Sequence, residues 1–159
     1  MRESYQVIFN SQTSDIINKD NLAAVVYNVN WGAFLPKKYK KFEMFYTMKT
    51  NHFSPISDGE LGMLNINLGR MENYNGNEAS NDIGLIYPVN LSGNITGFGY
   101  YTTNIGANPP IIVNYPYNNQ VTIKLNDFSG DALNAVQNYI CILNFVGIEE
   151  ESNPFLAGV

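Results

Sequence analysis

Four residues raise the question of catalysis: His52, Ser54, Asp58 and Cys141. A hydrolase needs a nucleophile, a base beside it and a carboxylate to orient the base. His52, the chain's one histidine, sits in Thr50-Asn-His-Phe-Ser-Pro-Ile-Ser-Asp-Gly-Glu, and no motif such as Gly-x-Ser-x-Gly frames a nucleophile. It reads as a loop residue at a strand end. Cys141, the one cysteine, allows no internal disulfide and lies in the most apolar run, where a thiol is an inert core group. Asp58 and Glu60 flank Gly59 in a turn-like stretch; glycoside hydrolysis needs two carboxylates across a cleft, and calcium needs more oxygens. A structural zinc site takes roughly four close ligands, and the sequence supplies no such group. The expectation is a protein that is not an enzyme and holds no metal or cofactor.

The second chemistry is electrostatic. "NWGAFLPKKYKKFEMFYTMKT", residues 30–50, holds Lys37, Lys38, Lys40 and Lys41, out of only 9 Lys+Arg in the chain. Trp31, Phe34, Tyr39 and Phe42 are interleaved with them, the composition of a loop that grips phosphates and stacks on bases. The net charge of −5 argues against nucleic acid, and about four released counterions give weak binding at physiological salt. Phe42 shares the strand parity of Met44 and Tyr46, and with Tyr39 it is expected in the core. The favoured reading is pairing with acidic groups of a neighbouring subunit, where salt bridges set register more than affinity. Glu149, Glu150 and Glu151 are candidate partners, in the same chain or the next copy. A solvated turn without a partner is the alternative.

The elements that would carry these residues are strands. At 159 residues the chain is one domain, with room for its own core. Charged residues are 14%, against the usual quarter, and 24 asparagines take their place. An amide surface suits a protein covered by neighbours, because charges are costly to desolvate; compositional bias of the source is the bland alternative. Period-two alternation runs through Tyr5–Phe9, Val25–Val29, Phe42–Met48 and Leu64–Leu68, and is cleanest over Gln120–Asn126. Ile83–Val89, Gly97–Thr103 and Pro110–Tyr115 are further strand-like runs. Asn138–Ile148 is apolar on both parities and is expected to be a strand buried on both faces, after a short helical turn near 131–136. Many short strands between turn signals predict an all-β sandwich of about eight or nine antiparallel strands. The Cys…Trp…Cys frame of an immunoglobulin domain is missing, which favours a single jelly roll. Residues 1–148 form the sandwich domain, and 149–159 read as an exposed arm. The ends, 1–4 and 149–159, are expected to order only against partners.

The order Phe9-Asn-Ser, Val29-Asn-Trp…Phe34-Leu-Pro…Tyr39…Phe42, Asn119-Gln-Val-Thr-Ile-Lys-Leu and Tyr139-Ile-Cys-Ile-Leu-Asn-Phe resembles the single jelly-roll minor capsid proteins of large icosahedral double-stranded DNA viruses. The resemblance covers most of the chain through loose motifs. It implies a structural subunit in a minor-capsid or penton role, with major and further minor capsid proteins as partners and self-association left open. It carries no catalytic residue and no cofactor. The opening Met-Arg-Glu-Ser-Tyr lacks the apolar stretch of a secretion signal, and no run of eighteen apolar residues could span a membrane. The expected location is the virion, assembled inside the host cell. The competing class is a carbohydrate-binding β-sandwich, suggested by Tyr74, Tyr87, Tyr100, Tyr101, Tyr115 and Tyr117 in or near loops.

Overall fold

The computed structural model describes residues 3–12, 16–21, 24–52, 62–68, 74–75, 78–79, 82–86, 98–102, 110–116, 118–126 and 136–150. The strands in it are β1 (Ser4–Asn10), β2 (Ile16–Asn21), β3 (Ala24–Asn28), β4 (Lys41–His52), β5 (Gly62–Asn67), β6 (Tyr74–Asn75), β7 (Glu78–Ala79), β8 (Asp82–Ile86), β9 (Phe98–Thr102), β10 (Ile111–Asn114), β11 (Gln120–Asn126) and β12 (Val136–Ile148). One 3-10 turn, Trp31–Ala33, is the only helical element among the described residues.

Two antiparallel sheets hold the long strands. The first runs β1-β12-β4-β10, and β9 shares the β4 edge with β10: β10 pairs Lys41–Met44, and β9 pairs Thr47–Asn51. The second runs β2-β3-β11-β5-β8. Successive strands cross between the sheets, from β1 to β3 to β4 to β5, back from β8 to β9, and from β11 to β12. That path makes an all-β, sandwich-like fold of two antiparallel sheets. The expected eight or nine strands become nine lateral positions across the two sheets, since β9 and β10 fill one position in turn and β2 adds an outer strand that the sequence pattern missed.

The alternating residues drive this assembly. Val121, Ile123 and Leu125 of β11 are buried, while Gln120 and Lys124 face water. Their inward neighbours include Val25, Tyr27 and Ile66 from one sheet and Phe9, Met44, Met48, Cys141, Leu143 and Phe145 from the other, in a single core cluster. Each such side chain contributes about 1.5–3 kcal/mol through burial. The sheets touch directly where the Tyr27 hydroxyl donates to the Tyr139 hydroxyl at 3.0 Å and the Phe9 and Tyr27 rings lie 4.9 Å apart. Burial pushes the Tyr27 phenol up to about 12 and Tyr139 higher still.

Three expectations need correction or placement. β12 is not buried on both faces: Tyr139, Cys141, Leu143 and Phe145 are buried, but Ile140 is exposed and Ile142, Val146 and Ile148 are half-buried. Nothing among the described residues covers that second face, so apolar character alone did not imply a second layer. Tyr115 is no exposed loop ring; it is buried, with its hydroxyl donating to the Leu35 carbonyl at 3.1 Å. Val136 opens β12, and 131–135 of the expected helical turn lie outside the described residues.

Candidate interaction site

The lysine segment begins as a loop because its backbone is held by the 115–119 connection. Val29 N–H donates to Asn119 O at 2.6 Å, and Tyr115 N–H donates to Lys40 O at 2.8 Å. Between these points the chain makes its 3-10 turn, and Leu35 N–H donates back to Trp31 O at 2.8 Å. Trp31 is buried, its indole N–H donating to Asn118 O at 2.9 Å. Its ring packs edge-on to Phe145 at 5.6 Å, and Phe42 meets Phe145 and Tyr39 in the same manner at 6.0 and 5.8 Å. Tyr39 is buried as well, and only Phe34 is half-buried. The aromatics between the lysines thus fill the core, and none is presented as a stacking platform for bases.

The lysines point the other way, and Lys38 and Lys40 are engaged within the chain. Glu3 is the hub. One carboxylate oxygen, Oε2, accepts from Tyr5 Oη at 2.6 Å and Tyr39 Oη at 3.0 Å, and it pairs with Lys38 Nζ at 3.0 Å. Those contacts, the Tyr5 bond first and then Lys38 and Tyr39, hold the Glu3 carboxyl down at about 2, and the same bond raises the Tyr5 phenol to about 12. Lys38 Nζ also lies 4.8 Å from the Tyr39 ring centroid, and its pKa is raised chiefly by Glu3. Lys40 Nζ pairs with Glu150 Oε1 at 3.0 Å. The loop therefore ties together residues flanking the first and last strands. Glu3 and Glu150 thus find partners within their own chain, through exposed ion pairs. Lys37, Lys41 and Glu149 are exposed; Glu151 lies outside the described residues.

Gly147 makes this clasp fit. A Cβ at that position would fall 2.6 Å from the Tyr39 ring, so any larger residue displaces the ring that bonds Glu3. A lone glycine in an otherwise apolar strand marks a close approach, a signal that is easily missed.

A second surface escaped the motif search. The outward face of the first sheet carries Gln6 and Ile8 from β1, Ile140, Ile142, Asn144 and Val146 from β12, and Phe45 from β4. Gln6 Nε2 bonds Asn144 Oδ1 at 3.2 Å, and Ile8 stands opposite Ile142. Among the described residues of this face, the charges are Lys41, Glu43 and Lys49 of β4. Ile8 is 58% exposed and Ile140 is 38% exposed. Beside Ile140 a cavity of about 220 Å³ opens among Asn10, Gln12, Lys49 and Asn138. At this end Ser11, fully buried, donates its N–H to Tyr139 O at 3.1 Å and accepts the Tyr139 N–H on Oγ at 3.0 Å.

Of the residues first considered for catalysis, only His52 and Cys141 lie among the described residues. His52 ends β4 in register with Val136, and Cys141 is fully buried, its thiol pushed up to about 12. Ser54, Asp58 and Glu60 lie outside the described residues. Of the tyrosines named for sugar binding, Tyr74, Tyr100 and Tyr101 are placed only as strand positions, and Tyr87 and Tyr117 lie outside the described residues. Among the described residues no three or more His, Cys, Asp or Glu side chains gather to hold a metal, and no helix is long and apolar enough to cross a membrane. No protein-family model matches the chain, and a search of the curated proteins finds no match.

Proposed function

We propose that this protein is a non-enzymatic structural subunit, a minor capsid or penton protein of a large icosahedral virus shell. The observation that carries the reading is the outward face of the first sheet. An antiparallel sheet with one wet face ordinarily shows water a polar row. Here the outward row of β1 and β12 is serine, isoleucine, valine and amide, exposed at Ile8 and Ile140 and half-buried at Ile142 and Val146, and it carries no charge, in keeping with a protein–protein contact core. The two-sheet antiparallel fold and the sequence resemblance support the same reading, while a fold alone assigns no function. Its partners would be the major capsid protein and further minor capsid proteins.

The test is particle-level. Purified virions should contain the chain in fixed stoichiometry, and crosslinking should join residues near Ile8 or Ile140 to another shell protein. A chain found free in the infected cell and absent from particles would overturn the reading. The competing reading, a carbohydrate-binding module, draws on the cavity beside Ile140, where Asn10, Gln12 and Asn138 join Tyr139 and Ile140 in the lining. Saturable binding of a glycan by the isolated domain, with chemical shift changes at Asn10, Gln12 and Asn138, would favour it.

A further inference from the structure

β1 is the outermost strand of its sheet, and no described strand pairs its far edge. An open edge is a template for another strand, and natural proteins blunt it with lysine, proline, a bulge or short length. β1 uses none of these. Ser-Tyr-Gln-Val-Ile-Phe-Asn contains no charge, proline or glycine, and its 7 residues run in unbroken register against β12. Two bonds fix the backbone direction: Gly147 N–H donates to Glu3 O at one end, and Ser11 N–H donates to Tyr139 O at the other. In an antiparallel ladder the groups alternate, so Tyr5, Val7 and Phe9 bond β12, and Ser4, Gln6 and Ile8 aim their N–H and C=O groups away from it. Among the described residues Ile8 is also the more exposed of the two exposed large apolar side chains, at 58%.

We propose that β1 is a self-association edge. Two copies pair β1 with β1, antiparallel about a two-fold axis at Val7, and merge their first sheets into one. The strand suits its own copy better than a charged partner. Two-fold pairing sets each residue beside its own neighbourhood, so any charge would confront its like, and β1 carries none. Its pattern is symmetric about Val7, with Tyr5 and Phe9 on the core side and Gln6 and Ile8 on the outer side. Gln6 and Ile8 of one copy then exchange backbone bonds with Ile8 and Gln6 of the other. Val7 meets Val7 and Tyr5 meets Phe9, which covers the half-buried Val7 and Tyr5 at the rim of the core. Glu3, the nearest charge, is already occupied by Lys38. This pairing stands independently of the capsid reading.

The experiment is sedimentation of the full chain over a concentration series, with amide exchange followed by NMR. Expected is a monomer–dimer equilibrium in which the Gln6 and Ile8 amides exchange fast in the monomer and slowly in the dimer, while Val7 and Phe9 are slow in both. Ile8→Pro removes an outward N–H and leaves the β12 ladder intact; Ile8→Lys places a charge on an exposed position. Both should lose the dimer with the circular dichroism spectrum unchanged, and if the proline variant misfolds the lysine variant decides. A chain still monomeric at about 1 mM, the range where even weak specific contacts fill, overturns the proposal. So does a dimer whose Gln6 and Ile8 amides stay unprotected, or one that Ile8→Lys leaves intact.

Discussion

The lysine loop and strand β1 lie against each other through Glu3, and they reverse what their compositions suggest. The loop holds four of the chain's cations within five positions, yet Lys38 and Lys40 are met by Glu3 and Glu150 of the same chain, and its aromatics are spent on the core. β1 has no charged residue, yet among the described residues it leaves a row of backbone groups and an exposed isoleucine unmet. A concentrated charge can be satisfied locally by a single side chain. An unpaired strand edge needs a whole strand. Sequence conspicuousness and unmet bonding capacity are therefore separate quantities, and here they sit on opposite sides of one carboxylate.

The strongest way to break this contrast is to remove what buries the loop. Trp31→Ala deletes a ring packed on Phe145 and an indole bond to Asn118. It should cost about 3–5 kcal/mol in urea unfolding. A loss under 1 kcal/mol would mean the loop is not seated in the core. Gly147→Ala forces a methyl against the Tyr39 ring. Overpacking of this kind costs about 1–3 kcal/mol, and the Tyr39–Glu3 bond should go with it, visible as a rise of the Glu3 pKa. Tyr139→Phe strands the buried Tyr27 hydroxyl at the junction of the sheets. That leaves about 1–3 kcal/mol of uncompensated desolvation, and an unchanged denaturation midpoint would show that water reaches the pair.

Glu3 gives a pH test of the clasp. Its carboxyl lies below its ordinary value in the folded chain, so its contribution is complete above about 4.5 and disappears as pH falls through about 2. The Tyr5 phenol is raised, so its share holds below 10 and is lost as pH rises through about 12. An NMR titration of the Glu3 carboxyl with a midpoint near 4.5 would dissolve the hub. Lys38→Glu with Lys40→Glu should have the smallest effect on folding of the free chain, because both pairs are solvent-exposed and such pairs are weak.

Much of the fold was legible because strand alternation writes burial directly into parity. Gln120–Asn126 forms β11 with the expected residues inside. Phe42, Met44, Tyr46 and Met48 are buried as their parity required, and Cys141 is a core thiol. β2 escaped because Ile16–Asn21 has too little apolar alternation, and its pairing with β3 is broken by register shifts. β12 misled because a run apolar on both parities describes two faces without saying what covers the second. The lysine segment was legible as a charged loop with core aromatics. Its partners were only half legible, since Glu150 adjoins an acidic run, whereas Glu3 is one carboxylate near the chain's start and only the β1–β12 register brings it beneath Lys38.

The most direct measurement is a sedimentation comparison of three chains at matched concentrations: wild type, Ile8→Lys, and Lys38→Glu with Lys40→Glu. An open β1 edge beside a satisfied loop predicts that Ile8→Lys alone becomes monomeric and that the lysine reversal dimerises like wild type. A dimer that survives Ile8→Lys and dissolves on reversal of Lys38 and Lys40 would contradict it, and would return the contact surface to the lysines.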